Sequence, residues 1–192
     1  MKDSQTANQL SGRAIGAMFF AGFGAIWLAL SLYALERLDA ATVGALLLGL
    51  VVLVAAALYL LREAKRWPRV PDDPAIGRAF GWVNAIQWVA VAAVAFGFAR
   101  LHIDAYVLSA ITAIVGLHMF PLARLFRYTP HYVTGAMLVA WSVASIFMAP
   151  VDHLQGVTAL GTGTILWLSA AVSVALGLQA AGIRETSEGV KE

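Results

Sequence analysis

Six long apolar runs divide the chain, each bounded by short polar stretches. They are roughly Ala14–Leu35, Ala41–Leu61, Ala79–Ala99, Asp104–Leu122, Tyr132–Ala149 and Leu160–Ala181. A helix needs about 20 apolar residues to cross the hydrocarbon layer. Strands of a membrane barrel alternate apolar and polar positions, whereas Val51–Leu58 is apolar throughout. Helices are then the spanning structure that satisfies the backbone. The pattern predicts an all-α integral membrane bundle of six transmembrane helices. It is a single membrane domain over 1–192, with hairpins at 12–61, 77–124 and 132–181, a linker at 62–76, and polar termini at 1–11 and 182–192. The first run exceeds the roughly 7–15 residues of a signal-peptide core, so it predicts a retained helix.

Composition agrees and removes alternatives. The chain of 192 residues is 60% hydrophobic and 12% charged, with mean hydropathy +0.77. Soluble domains average roughly 45–50% apolar and about 25% charged. An ordinary soluble enzyme, a disordered protein and a disulfide scaffold are excluded. The chain contains no cysteine, which excludes disulfides, thiolate metal sites, cysteine nucleophiles and iron–sulfur clusters.

The formal charge of +2 points to topology rather than to nucleic acid. With the N-terminus placed inside, eleven of the thirteen Lys and Arg residues fall on inner segments: Lys2, Arg13, Arg62, Lys65, Arg66, Arg69, Arg78, Arg124, Arg127, Arg184 and Lys191. Arg37 and Arg100 fall outside. Cytoplasmic loops collect Lys and Arg, so the reading is N-in and C-in, in a bacterial inner membrane. Trp67, Trp82, Tyr128 and Tyr132 would lie at the inner headgroup level, and Tyr33, Phe98 and Tyr106 at the outer one.

An internal repeat underlies the hairpins. Gly12-Arg13-Ala14-Ile15-Gly16 recurs 65 residues later as Gly77-Arg78-Ala79-Phe80-Gly81, and Leu38-Asp39-Ala40 recurs as Ile103-Asp104-Ala105. Spans 5–6, with Gly135, fit as a third copy. Each copy starts on the same side, so the hairpins are expected to be parallel in orientation. Asp39 and Asp104 are expected to be N-caps, as is Asp73 before Pro74. Pro68, Pro71 and Pro74 predict an extended linker. Ala17, Ala21, Ala25 and Ala29 form a small-residue stripe, read as a packing face. Gly161-Thr162-Gly163-Thr164 lacks the lysine of a phosphate loop and also reads as packing.

No acidic residue falls in the interior of a span, which disfavours ion-coupled transport. His118 is the single histidine expected there. At 1.5 Å per residue it lies about 9 Å from the inner end of span 4, level with Asn84 and Gln87 at about 8 and 12 Å in span 3. Under the 65-residue offset these three replace Leu53, Phe19 and Gly22. Pro121 also leaves the carbonyl of Leu117 without its helical partner. Thr134, Met137 and Gln179 complete a ring, predicting a ligand-binding pocket open to the cytoplasm. The competing reading makes Asn84, Gln87 and His118 hydrogen-bonding glue between helices.

At the outer face His102, Asp104, Asp152 and His153 are a candidate zinc set, with Glu36 and Asp39 in the neighbouring turn. A haem held by His118 and Met137, with Met119 nearby, is the other cofactor considered. Neither cofactor is predicted outright, and no catalytic residue stands out, since the serines of spans 4 to 6 lack an Asp–His partner. The hairpin pattern and Gly116-Leu117-His118-Met119-Phe120-Pro121-Leu122-Ala123 resemble small multi-pass inner-membrane proteins of bacteria, a resemblance that implies no activity.

Three classes of function follow. The first binds or passes a small or amphipathic molecule through the pocket around His118. The second is a non-catalytic structural or regulatory subunit that binds another membrane protein. The third is a metal- or haem-dependent membrane enzyme. The expected partners are the lipid bilayer, a small-molecule or lipid ligand, a second copy or another membrane protein, and no nucleic acid.

Overall fold

The computed structural model describes residues 2–66, 71 and 73–188, with side chains described from 7 to 181 within those limits. Six helices follow one another: α1 (Lys2–Ala34), α2 (Ala40–Ala64), α3 (Pro74–Leu101), α4 (Val107–Leu125), α5 (Pro130–Met148) and α6 (Leu154–Glu188). Short 3-10 turns at Asp104–Tyr106 and Val151–His153 lead into α4 and α6. Six described helices are long and apolar enough to cross a membrane, and the protein is a multi-pass membrane protein. The expectations for Lys2, Trp67, Pro68, Arg69, Arg184 and Lys191 lie outside the described side chains.

Local chemistry sets the helix starts. Asp39 accepts hydrogen bonds from the N–H groups of Ala41 and Thr42, both at 2.9 Å. Thr42 Oγ1 accepts from the Asp39 N–H at 3.2 Å. This reciprocal box satisfies donors that a helix start leaves orphaned. Asp73 caps α3 through the Ala75 N–H at 2.8 Å, with Pro74 as the first helical residue. Asp104 departs from the expectation. It opens a 3-10 turn, and Tyr106 occupies the N-cap of α4 without a side-chain bond. Two further boundaries move: α5 begins at Pro130, which brings His131 into its first turn, and α6 begins at Leu154.

The helices pack in the spatial order α3, α4, α5, α6, α1, α2, with α6 also touching α2 and α4. The most extensive interfaces join α1 to α6 and α4 to α5. Both use glycine to let backbones approach, which is how helices associate where lipid supplies no hydrophobic drive. A β-carbon on Gly163 would stand 2.8 Å from the Gly24 carbonyl oxygen. The alanine stripe serves this same side of α1: Ala17, Ala21 and Ala25 are buried, and the Trp167 indole N–H donates to the Ala21 carbonyl at 3.0 Å. The Gly161–Thr164 stretch lies inside α6, two turns from its start, and packs there: Gly161 meets Trp141 and Gly163 meets Leu28.

Helix α3 is peripheral. It packs on α4 and the adjoining 3-10 turn, and none of its residues is buried. Large apolar side chains such as Trp88, Val89 and Phe96 stand exposed on it. This surface suits lipid rather than water.

Candidate functional site

Two polar systems occupy the bundle. The first is a column of hydroxyls on α6. Thr158, Thr162, Ser169 and Ser173 recur at four- and seven-residue steps, so they share one face. Thr158 shares hydrogen bonds with Ser109 of α4 at 3.1 Å and Ser145 of α5 at 3.0 Å. Thr162 pairs with Thr112 of α4 at 2.9 Å, and Ser169 with Thr134 of α5 at 2.8 Å. Ser173 accepts from the Tyr128 hydroxyl at 3.2 Å. The Trp141 indole N–H adds a bond to the Thr158 carbonyl at 3.0 Å. These bonds are the glue of the bundle, each contributing about 0.6 kcal/mol on average.

The second system lies at the end of the bundle where α4 gives way to α5. His118 is half-buried on α4, and both of its imidazole nitrogens are enclosed without a hydrogen-bond partner. His131, on the first turn of α5, lies within electrostatic reach of it, and its Nδ1 is likewise enclosed and unpartnered. The fifth run is expected from Tyr132, and α5 begins two residues earlier, so His131 joins the helix at its first turn. His131 stands edge-on to Tyr128 at 4.9 Å and to Phe20 at 5.6 Å between ring centroids. Arg13 of α1 lies over the Tyr128 ring, 5.5 Å from its centre, and its Nη1 donates to the Leu176 carbonyl of α6 at 3.1 Å. An open cleft of about 400 Å³ begins here, lined among others by Arg13, Arg127, Tyr128, Thr129 and Gln179.

The six pocket residues expected from sequence are placed unequally. Asn84 is half-buried on α3 but donates to the Phe80 carbonyl of its own helix at 2.8 Å. Gln87 is half-buried one turn further along α3. Thr134 is buried on the α5–α6 seam. Met137 is 42% exposed, whereas Met119 beside His118 is buried. Gln179 lines the cleft. No described hydrogen bond runs from Asn84, Gln87 or His118 to another helix.

His102, Asp104, Asp152 and His153 are all exposed at the opposite end. His102 closes α3 in the left-handed conformation, φ 55°. The Asp104 carbonyl accepts from Gln155 Nε2 at 2.9 Å, tying α6 to the first 3-10 turn. Among the described residues no three His, Cys, Asp or Glu side chains gather as a ligand set.

Sequence reasoning missed His131, Arg13 and the hydroxyl column as site and glue residues. The signal for His131 was Pro130 beside it, since proline favours the first helical position and draws the next residue into the helix. The signal for the column was the four- and seven-residue recurrence of Ser and Thr in α6.

No family model, no curated protein and no solved structure matches this chain.

Proposed function

We propose that this multi-pass membrane protein resides in a bacterial inner membrane with both termini in the cytoplasm. There it binds or passes a small or amphipathic molecule through a polar pocket around His118. The placement of eleven of thirteen Lys and Arg residues on one side of the spans supports the orientation. One observation carries the binding reading. His118 has two enclosed, unpartnered nitrogens while the helices beside it are tied together by hydroxyls instead. A buried polar group without a partner costs free energy, about 1–3 kcal/mol. A ligand that hydrogen-bonds His118 recovers it, and an ionisable residue within a span is by default a functional candidate. His131, whose Nδ1 is likewise enclosed and unpartnered, would offer the ligand a second contact.

Native mass spectrometry of the detergent-purified protein beside His118→Leu tests the reading. A molecule retained by the wild type and lost from a variant of unchanged melting temperature is the expected result. Identical bound species on both proteins would overturn it.

One observation favours a second reading, that of a structural or regulatory subunit. Helix α3 packs mainly on α4 and buries none of its residues, so its outward face is available to another membrane protein or to a second copy. Crosslinking from Trp88→Cys in native membranes, with a discrete partner band, would support this role.

A further inference from the structure

We propose that the cleft between Arg13 and Arg127 binds a phosphate group, presented either by a lipid headgroup or by a soluble phosphate ester. Arg13 and Arg127 both line the cleft, and no acidic residue lines it with them among the described residues. The ion pair among the described residues lies elsewhere, between Arg66 and Glu63. Arg13 therefore stands near the N-terminal end of the first apolar helix with no acidic partner among the described residues.

Arg13 is also held in position. One of its N–H groups is spent on the Leu176 carbonyl and its guanidinium carbon lies over the Tyr128 ring. Tyr128 is in turn fixed by the Ser173 hydroxyl and the edge of His131. A guanidinium has five N–H donors, so a fork remains to face the cleft, and that geometry matches phosphate oxygens. Arg127 adopts a left-handed backbone, φ 49°, an arrangement that a non-glycine residue adopts at some cost. It ends α4 there, with the Tyr128 N–H bonded back to the Ala123 carbonyl at 3.0 Å. The cleft also takes in Thr129 and Pro130 at the start of α5, where the helix dipole presents its positive end to an anion. Gln179 completes the set with a neutral amide. The site does not depend on the reading of His118, which is not part of the cleft lining.

The test is native mass spectrometry of the full-length protein in neutral detergent. Phosphatidylglycerol, phosphatidylcholine or glycerol 3-phosphate is titrated against wild type, Arg13→Lys, Arg13→Gln, Arg127→Gln and His118→Leu. The expected result is saturable binding of phosphatidylglycerol, preferred over phosphatidylcholine, and weakened about tenfold by each Gln substitution as a charge-assisted bond is lost. Arg13→Lys, which keeps the charge but loses the fork, falls between, and His118→Leu binds as wild type does. Binding of glycerol 3-phosphate with the same losses, and none of the lipid, assigns the site to a soluble ester. Equal binding to wild type and Arg127→Gln, an exposed position remote from the core, overturns the proposal, as does the absence of binding by every phosphate compound.

Discussion

The carbonyl oxygen of Gly116 lies 2.7 Å from where a β-carbon on Gly135 would stand, and the Gly135 carbonyl lies 2.9 Å from the corresponding point on Gly116. Helices α4 and α5 thus touch backbone to backbone. The nearest neighbour at Gly135 is a main-chain oxygen, which cannot turn aside as a flexible side chain would. Gly135→Ala forces the helices apart and is expected to cost about 1–3 kcal/mol, the usual range for overpacking. Gly81→Ala on α3 is the control, because nothing lies within 4 Å of its would-be β-carbon. There the helix gains the roughly 0.5–1 kcal/mol by which alanine exceeds glycine. Melting temperatures of the two variants in one detergent check the contrast, and a Gly135→Ala protein as stable as wild type would sink the crossing argument.

The Thr112–Thr162 pair is fully buried and spans α4 to α6 at 2.9 Å. Thr112→Val and Thr162→Val each remove it while keeping shape. Measured bonds of this type average about 0.6 kcal/mol and reach about 1.7. A double-mutant cycle in thermal or denaturant unfolding is expected to give a coupling energy within that range. Strict additivity of the two changes would show that the hydroxyls do not act as a pair.

Trp167 joins three helices. It rises from α6, packs over Gly24 of α1 and Gly49 of α2, and donates its indole N–H to Ala21. Trp167→Phe loses that bond and leaves the carbonyl of Ala21 with its helical partner alone, a change expected to cost about 1 kcal/mol. Trp167→Ala also opens a void and is expected to cost about 3–5 kcal/mol. If both substitutions lowered the melting temperature equally, the indole bond rather than the packing would account for the whole effect.

Asp39 carries a pH dependence. Its carboxyl is held below its ordinary value, first by the backbone N–H of Thr42, with further bonds from Ala41 and the Thr42 side chain outweighing desolvation. A lowered folded pKa means that the cap's contribution is complete above the ordinary carboxylate pKa. It is lost as pH falls through the lowered one. The melting difference between wild type and Asp39→Ala is therefore expected to be constant near neutrality and to shrink in acid. A difference that grew on acidification would contradict the capping bond.

The number of spans was legible because apolar run length is a direct physical requirement of the bilayer. The helix starts at Asp39 and Asp73 were legible for a similar reason, since short side chains that accept from the first N–H groups leave a local signature. Asp104 was not, because an aspartate can equally open a 3-10 turn, and the choice depends on Gln155 reaching its carbonyl from α6. Leu154 as the start of α6 was obscured by Gln155, Gly156 and Thr158, whose polarity reads as a loop until their partners on other helices are known. The same gap hid the roles of the site residues. Asn84 shares a depth with His118, yet its amide turns back to Phe80, a choice that spacing along the chain does not express. His131 fell one residue ahead of the fifth run because hydropathy, and not Pro130, set the boundary.

The partnership of α1 with α6 bears on how the molecule is made. Helix α1 has α6 as its principal neighbour, so these two must find each other across the four helices synthesised between them. Contacts this distant in sequence are slow to form. Until Gly163 and Trp167 emerge, the alanine stripe of α1 lacks the partner it packs on, and the synthesis of α6 is the event that closes this interface.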